Sequence, residues 1–95
     1  MAIMSNIDWS KLITKEMKQE QAIKQRLANV VAEVAQLRKI ADYTIAPLQD
    51  AADIDDATPE EAAALTKWKK YRIALNRIPA QPGYFDVIDW PVMPV

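Results

Sequence analysis

The sequence predicts an all-α protein: a long helix and a shorter one folded back as an antiparallel αα-hairpin, followed by an extended, proline-marked tail. Three observations lead there. Apolar residues recur at alternating steps of four and three over about four heptads. A single glycine, Gly83, serves the whole chain, which leaves little means of making tight turns. Between two helical stretches, Thr58-Pro59-Glu60-Glu61 spells a helix start. The expected boundaries are a lead-in over 1–10, a hairpin over 11–78 and a tail over 79–95.

The long helix is expected over about 11–56. Its seam is Ile23, Leu27, Val30, Val34, Leu37, Ala41, Thr44, Leu48 and Ala51, with Val31, Ile45 and Ala52 widening it toward a bundle face. Upstream, Glu16 and Glu20 fall on the extrapolated seam, so the first turns are expected to pack less tightly. Pro47 removes a backbone donor and clashes with the preceding turn, at roughly 3 kcal/mol inside a helix. Leu48 and Ala51 keep the heptad phase beyond it, which favours a kinked helix over two separate ones.

The second helix is expected over about 59–78. Thr58 is the N-cap, Pro59 sits at the first helical position, where its missing donor is harmless, and Glu61 completes a capping box. Leu65, Trp68, Tyr71, Leu75 and Ile78 form its apolar face, and Ile78-Pro79 ends it, because the residue before a proline avoids helical geometry. Trp68, Tyr71 and Leu75 are expected to meet Leu37, Ala41, Thr44 and Leu48. With Asp55-Asp56-Ala57 as a short turn, the helices lie antiparallel.

Length then has a consequence. At ~1.5 Å per residue the second helix reaches about 30 Å and the first about 50–65 Å. The seam from Ile23 to Val34 should outrun its companion. A homo-oligomeric bundle, a dimer in the simplest form, is the expected cover, with Ile23, Leu27, Val30 and Val34 as the oligomer seam. The tail carries Pro79, Pro82, Pro91 and Pro94, with Tyr84, Phe85, Val87, Ile88 and Trp90 as its adhesive side chains. An Ile-Asp-Trp string occurs at 7–9 and again at 88–90.

Composition narrows the function classes. Ninety-five residues make one domain, and 51% apolar with 26% charged residues is a folding composition. A net charge of −1 offers no long-range attraction to nucleic acid or anionic lipid. There is no cysteine for a disulfide, no apolar run approaching ~20 residues for a bilayer, and no signal-peptide pattern in the first residues. The expectation is a protein that stays in the cytoplasm where it is made, without a membrane partner.

An enzymatic reading lacks parts. Histidine is absent, and Ser5 and Ser10 are the only serines, so no triad can form. Asp50, Asp53, Asp55 and Asp56 could offer oxygen ligands to a hard cation, but without the glycine turn and closing glutamate of an EF-hand they read as a solvated helix end. Catalytic, metal and cofactor sites are all expected to be absent. Lys67-Trp68-Lys69-Lys70-Tyr71-Arg72 interleaves bases with aromatics, as single-strand binders do. On a helix, however, Trp68, Tyr71 and Leu75 share one inward face, with lysines snorkelling around it. Arg72 could pair with Asp42, with Asp50 or with a carboxylate of a partner.

Four blocks in order carry a resemblance: Pro47-Leu48-Gln49-Asp50-Ala51-Ala52-Asp53-Ile54, Ala57-Thr58-Pro59-Glu60-Glu61, Trp68-Lys69-Lys70-Tyr71-Arg72-Ile73-Ala74-Leu75-Asn76-Arg77-Ile78 and Ile88-Asp89-Trp90-Pro91. Over about residues 40–95 the chain resembles the C-terminal portion of tail-fibre assembly proteins of tailed bacteriophages. Members of that family usually carry a strand-rich region ahead of this part, where the present sequence has helix. The resemblance implies a chaperone that binds a tail-fibre protein, assists its folding and trimerisation in the cytoplasm of the bacterial host, and in some relatives stays on the fibre. Trp68, Tyr71, Arg72, Asn76, Tyr84, Phe85 and Trp90 are the candidate partner contacts. Two other readings stand beside it: a structural oligomerisation module of the phage tail, and a nucleic-acid binder working through the basic helix.

Overall fold

A computed structural model describes residues 15–94. The expected lead-in over 1–10, with its Ile7-Asp8-Trp9 string, the helix start near residue 11 and both serines lie outside them. Two α-helices and a short 3-10 turn make up the regular structure of the described residues: α1, Lys15–Asp53; α2, Pro59–Asn76; and the turn Ile78–Ala80. None of the described residues forms a strand. The two helices pack together as an antiparallel hairpin of unequal arms.

Helix α1 runs for 39 residues without a break through Pro47. The proline nitrogen has no hydrogen to give the Tyr43 carbonyl, so that acceptor lacks the donor an ordinary helix supplies four residues on. Heptad phase continues because Leu48, Ala51 and Ala52 all remain partly buried. Thr44, the one polar side chain in the expected seam, donates its hydroxyl to the Ile40 carbonyl at 2.9 Å, which satisfies it within its own helix.

A hydrogen-bonded C-cap terminates α1. The Asp56 N–H donates to the Ala51 carbonyl at 2.8 Å and the Asp55 N–H to the Ala52 carbonyl at 3.1 Å. This is the six-to-one and five-to-two pairing of a Schellman motif. Asp55 takes the left-handed position, with φ at 60°, where glycine is the usual occupant. Asp55→Gly should therefore raise stability, by about 0.5–1 kcal/mol. Urea melts in which the midpoint stays put or falls would refute this.

Helix α2 begins as its sequence predicts. The Glu61 N–H donates to Thr58 Oγ1 at 3.1 Å, and the Thr58 N–H donates to Glu61 Oε1 at 3.0 Å, a complete capping box with Pro59 at the first turn. The helix ends two residues earlier than expected. Asn76 is last, and the Arg77 N–H is shared between the Ile73 and Ala74 carbonyls at 3.1 and 3.2 Å. Pro79 then enters the 3-10 turn, which needs no donor from it.

Ala41, Ile45, Leu65, Tyr71, Leu75 and Ile78 form the buried core, with Val34, Leu37, Leu48, Ala52, Trp68, Tyr84, Ile88 and Met93 packed around it. Ile45, a flanking position by sequence, is more buried than the seam residues Thr44 and Leu48. Helix α2 thus sits to one side of the expected seam, as a wide bundle contact does, and draws the flanking column inward.

Beyond the 3-10 turn the tail turns through residues 82–86 before running without regular structure over 88–94. The Gln81 side chain closes this excursion: its amide nitrogen donates to the Asp89 carbonyl at 2.9 Å, and its oxygen accepts from the Asp89 N–H at 2.8 Å. Gly83 is needed for close approach. A Cβ there would lie 2.7 Å from the Val87 carbonyl oxygen, whose own N–H donates to Gly83 at 2.8 Å. The excursion reaches far along α1, where Asp86 pairs with Arg26. Both side chains are well exposed, so the pair positions the turn and adds at most about 1 kcal/mol.

Candidate partner-binding surface

The residues singled out by sequence divide into an inner and an outer group. Tyr71 is buried at 4% exposure in the core. Trp68 is half-buried at the core edge, its ring edge-on to that of Tyr71 with centroids 5.8 Å apart. Tyr84 and Phe85 are half-buried, also edge-to-face, and Tyr84 packs onto the core. Trp90 remains 38% exposed, and Asn76 faces solvent. Trp90 and Tyr71 line one recess together with Glu33, Leu37, Pro91 and Met93, so the returning tail bridges the two helices there.

Burial and then the Glu33 charge push the Tyr71 hydroxyl above its ordinary pKa of 10.0. The folded state therefore holds this proton more tightly than the unfolded chain does. That stability is complete below pH 10 and is lost as pH rises through the folded-state value. Tyr71→Phe should flatten the alkaline limb of a stability profile, the part where pH rises past the ordinary tyrosine pKa of 10.0. An unchanged slope would show that the hydroxyl plays no part.

One member of the basic run is paired within the fold. Arg72 Nη1 donates to Asp42 Oδ1 at 3.0 Å, which selects Asp42 from the carboxylates within reach. With Tyr71 inside and Trp68 half-buried against the core, the aromatics interleaved with these bases are turned away from a stacking role. Among the described residues no group of three or more His, Cys, Asp or Glu is placed to hold a metal ion, and no helix is long and apolar enough to cross a membrane.

The expected oligomer seam is partly covered within the chain. Ile23 is 44% exposed, but Leu27 and Val30 are half-buried and Val34 packs onto the core. The length comparison of the two helices leaves the tail out of account; the tail folds back as far as Arg26 and lies beside this stretch. Met17, Ile23 and Val31 remain bare on α1. A second exposed line runs along the other half of the same helix and just past its end: Ile40, Tyr43 at 85%, and Ile54 at 74% exposure, with Pro47 between them. Sequence reading overlooked this line, although its spacing of three, four and seven was there to be seen once the main seam had been set aside.

Comparison with known proteins follows from this geometry. The sequence family described as Caudovirales tail fibre assembly protein, lambda gpK, matches residues 4–95. That span takes in α1 as well as the blocks after residue 40. The chain is 49% identical over 59 residues to the tail fiber assembly protein of Escherichia phage lambda, covering 62% of this chain and 29% of that protein. It is 48% identical over 58 residues to the prophage tail fiber assembly protein homolog TfaR of Escherichia coli K12, covering 61% and 29%. With the probable tail fiber assembly protein of Escherichia phage P2 it shares 33% identity over 85 residues, 88% of this chain and 41% of that one. The matches to the lambda and K12 proteins thus span about three tenths of those relatives' length. No solved structure matches the chain.

Proposed function

We infer the role of this chain from its family: it belongs to the Caudovirales tail fibre assembly proteins, which its match over residues 4–95 establishes. The chain acts in assembly of a phage tail fibre by binding a tail-fibre protein and assisting its folding and trimerisation. The work is done by binding and not by catalysis, in the cytoplasm of the bacterial host before lysis. One observation carries this reading: relatives from phage lambda and from a K12 prophage, at 49% and 48% identity, both bear the name tail fiber assembly protein. The bare apolar side chains on α1 are consistent with a protein whose business is another polypeptide.

Co-expression tests it. The fibre protein of the same genome, made with and without this chain, should gain soluble, trimeric material when the chain is present. A fibre yield and oligomeric state that do not change would overturn the reading. The reach of α1 beyond α2, with Ile23 exposed, favours a second reading, a structural oligomerisation module of the tail. Stoichiometric copies in purified virions, without any effect on fibre folding, would select that one.

A further inference from the structure

We propose that the outer side of α1 at the closed end of the hairpin docks a basic, amphipathic segment of the tail-fibre protein. The proposal rests on the fibre-binding reading and assigns it a surface. Ile40, Tyr43 and Pro47 of α1 and Ile54, the first residue after it, fall three, four and seven residues apart, so they form one line away from the core face of Ala41, Ile45 and Leu48. None of the four belongs to the core cluster of the described residues. Tyr43 and Ile54 are among the most exposed large apolar side chains of the described residues, at 85% and 74%.

Charge specifies the partner. From Asp42 to Glu61 the chain has seven carboxylates (Asp42, Asp50, Asp53, Asp55, Asp56, Glu60 and Glu61) and no lysine or arginine. Asp42 is committed to Arg72 and Glu61 to the capping box. Asp50, Asp53, Asp55 and Asp56 are exposed and have no ion-pair partner among the described residues, and Asp53 accepts only the neutral Gln49 amide at 2.7 Å. Apolar side chains beside exposed carboxylates suit a segment that alternates apolar residues with lysine or arginine. Arginine suits best, since it can meet a carboxylate and lie over the Tyr43 ring.

Two variants test it: Tyr43→Ser with Ile54→Ser, and Asp50→Lys with Asp53→Lys. All four side chains are exposed, and lysine near the end of α1 suits the helix dipole, so both proteins should melt within a few degrees of the parent. Each would be co-expressed with the fibre protein of the same genome and the fibre retained on the tagged chain measured at 50 and 300 mM salt. The expected result is at least a tenfold loss of retained fibre in both variants, and a parent interaction that weakens at the higher salt. Parent-like retention by both variants would overturn the surface and leave fibre binding standing. Failure of the parent to retain fibre would overturn the fibre-binding reading and this proposal with it. Light scattering that shows the parent multimeric and the variants monomeric, with fibre retention unchanged, would assign the surface to a second copy of the chain and equally overturn the proposal.

Discussion

Leu75→Ala should destabilise the protein by about 3–4 kcal/mol, within the 2–5 kcal/mol seen for buried leucines. Leu75 has no exposed surface and sits on α2 within the cluster that includes Ala41, Ile45 and Ile78. Helix α2 is only 18 residues long, so its place on α1 depends on few side chains, and the hole left by Leu75 falls among them. Marginal stability of about 5–15 kcal/mol makes that a large fraction of the whole. At roughly 4–8 °C per kcal/mol for a domain of this size, the melting point should fall on the order of 12 °C or more. A fall of only a few degrees would place the real core elsewhere and break the hairpin description.

Tyr71→Ala should cost about 3–5 kcal/mol, and Trp68→Ala clearly less. Sequence spacing puts Trp68, Tyr71 and Leu75 on one inner face without ranking them. In the folded chain Tyr71 is the residue at which three segments meet: α2 itself, Leu37 and Glu33 of α1, and Trp90, Pro91 and Met93 of the returning tail. Trp68 touches the same cluster but keeps part of its surface in water, so part of its transfer free energy is never gained. Urea unfolding of the two variants gives the comparison directly. Tryptophan emission supplies a second check, since loss of Tyr71 should move Trp68 and Trp90 toward a wetter environment. Equal losses, or a larger one at Trp68, would contradict the burial order.

Both expectations concern the half of the chain that the sequence describes best. The candidate surface was far less legible. Tyr84, Phe85 and Trp90 stand out in any reading of the tail, yet whether they contact a partner or the chain itself depends on where the tail goes. Asp86 pairs with Arg26 across 60 positions of sequence, and Gln81 grips Asp89 through its amide; neither link leaves a mark in local composition. The exposed line of Ile40, Tyr43, Pro47 and Ile54 was hidden by a stronger periodicity running along the same helix. Arg72 shows the middle case: sequence limited its intramolecular partner to Asp42 or Asp50, and the packing of α2 against α1 selected Asp42.

What the sequence determined by itself was everything that depends on neighbours within one helical turn. The capping box at Thr58, the stop before Pro79, the seam of α1 and the all-α class each follow from bonds or contacts between residues three to seven apart. Only the tertiary structure decided how far α2 rotates toward Ile45, where the tail returns, and how much of the stretch from Leu27 to Val34 it lies beside. Those outcomes are settled by burying surface between segments tens of residues apart, where many pairings satisfy the local pattern equally well. The left-handed turn at Asp55 belongs with them: no glycine marks it, and it is held because both helices, once packed, require the chain to reverse there.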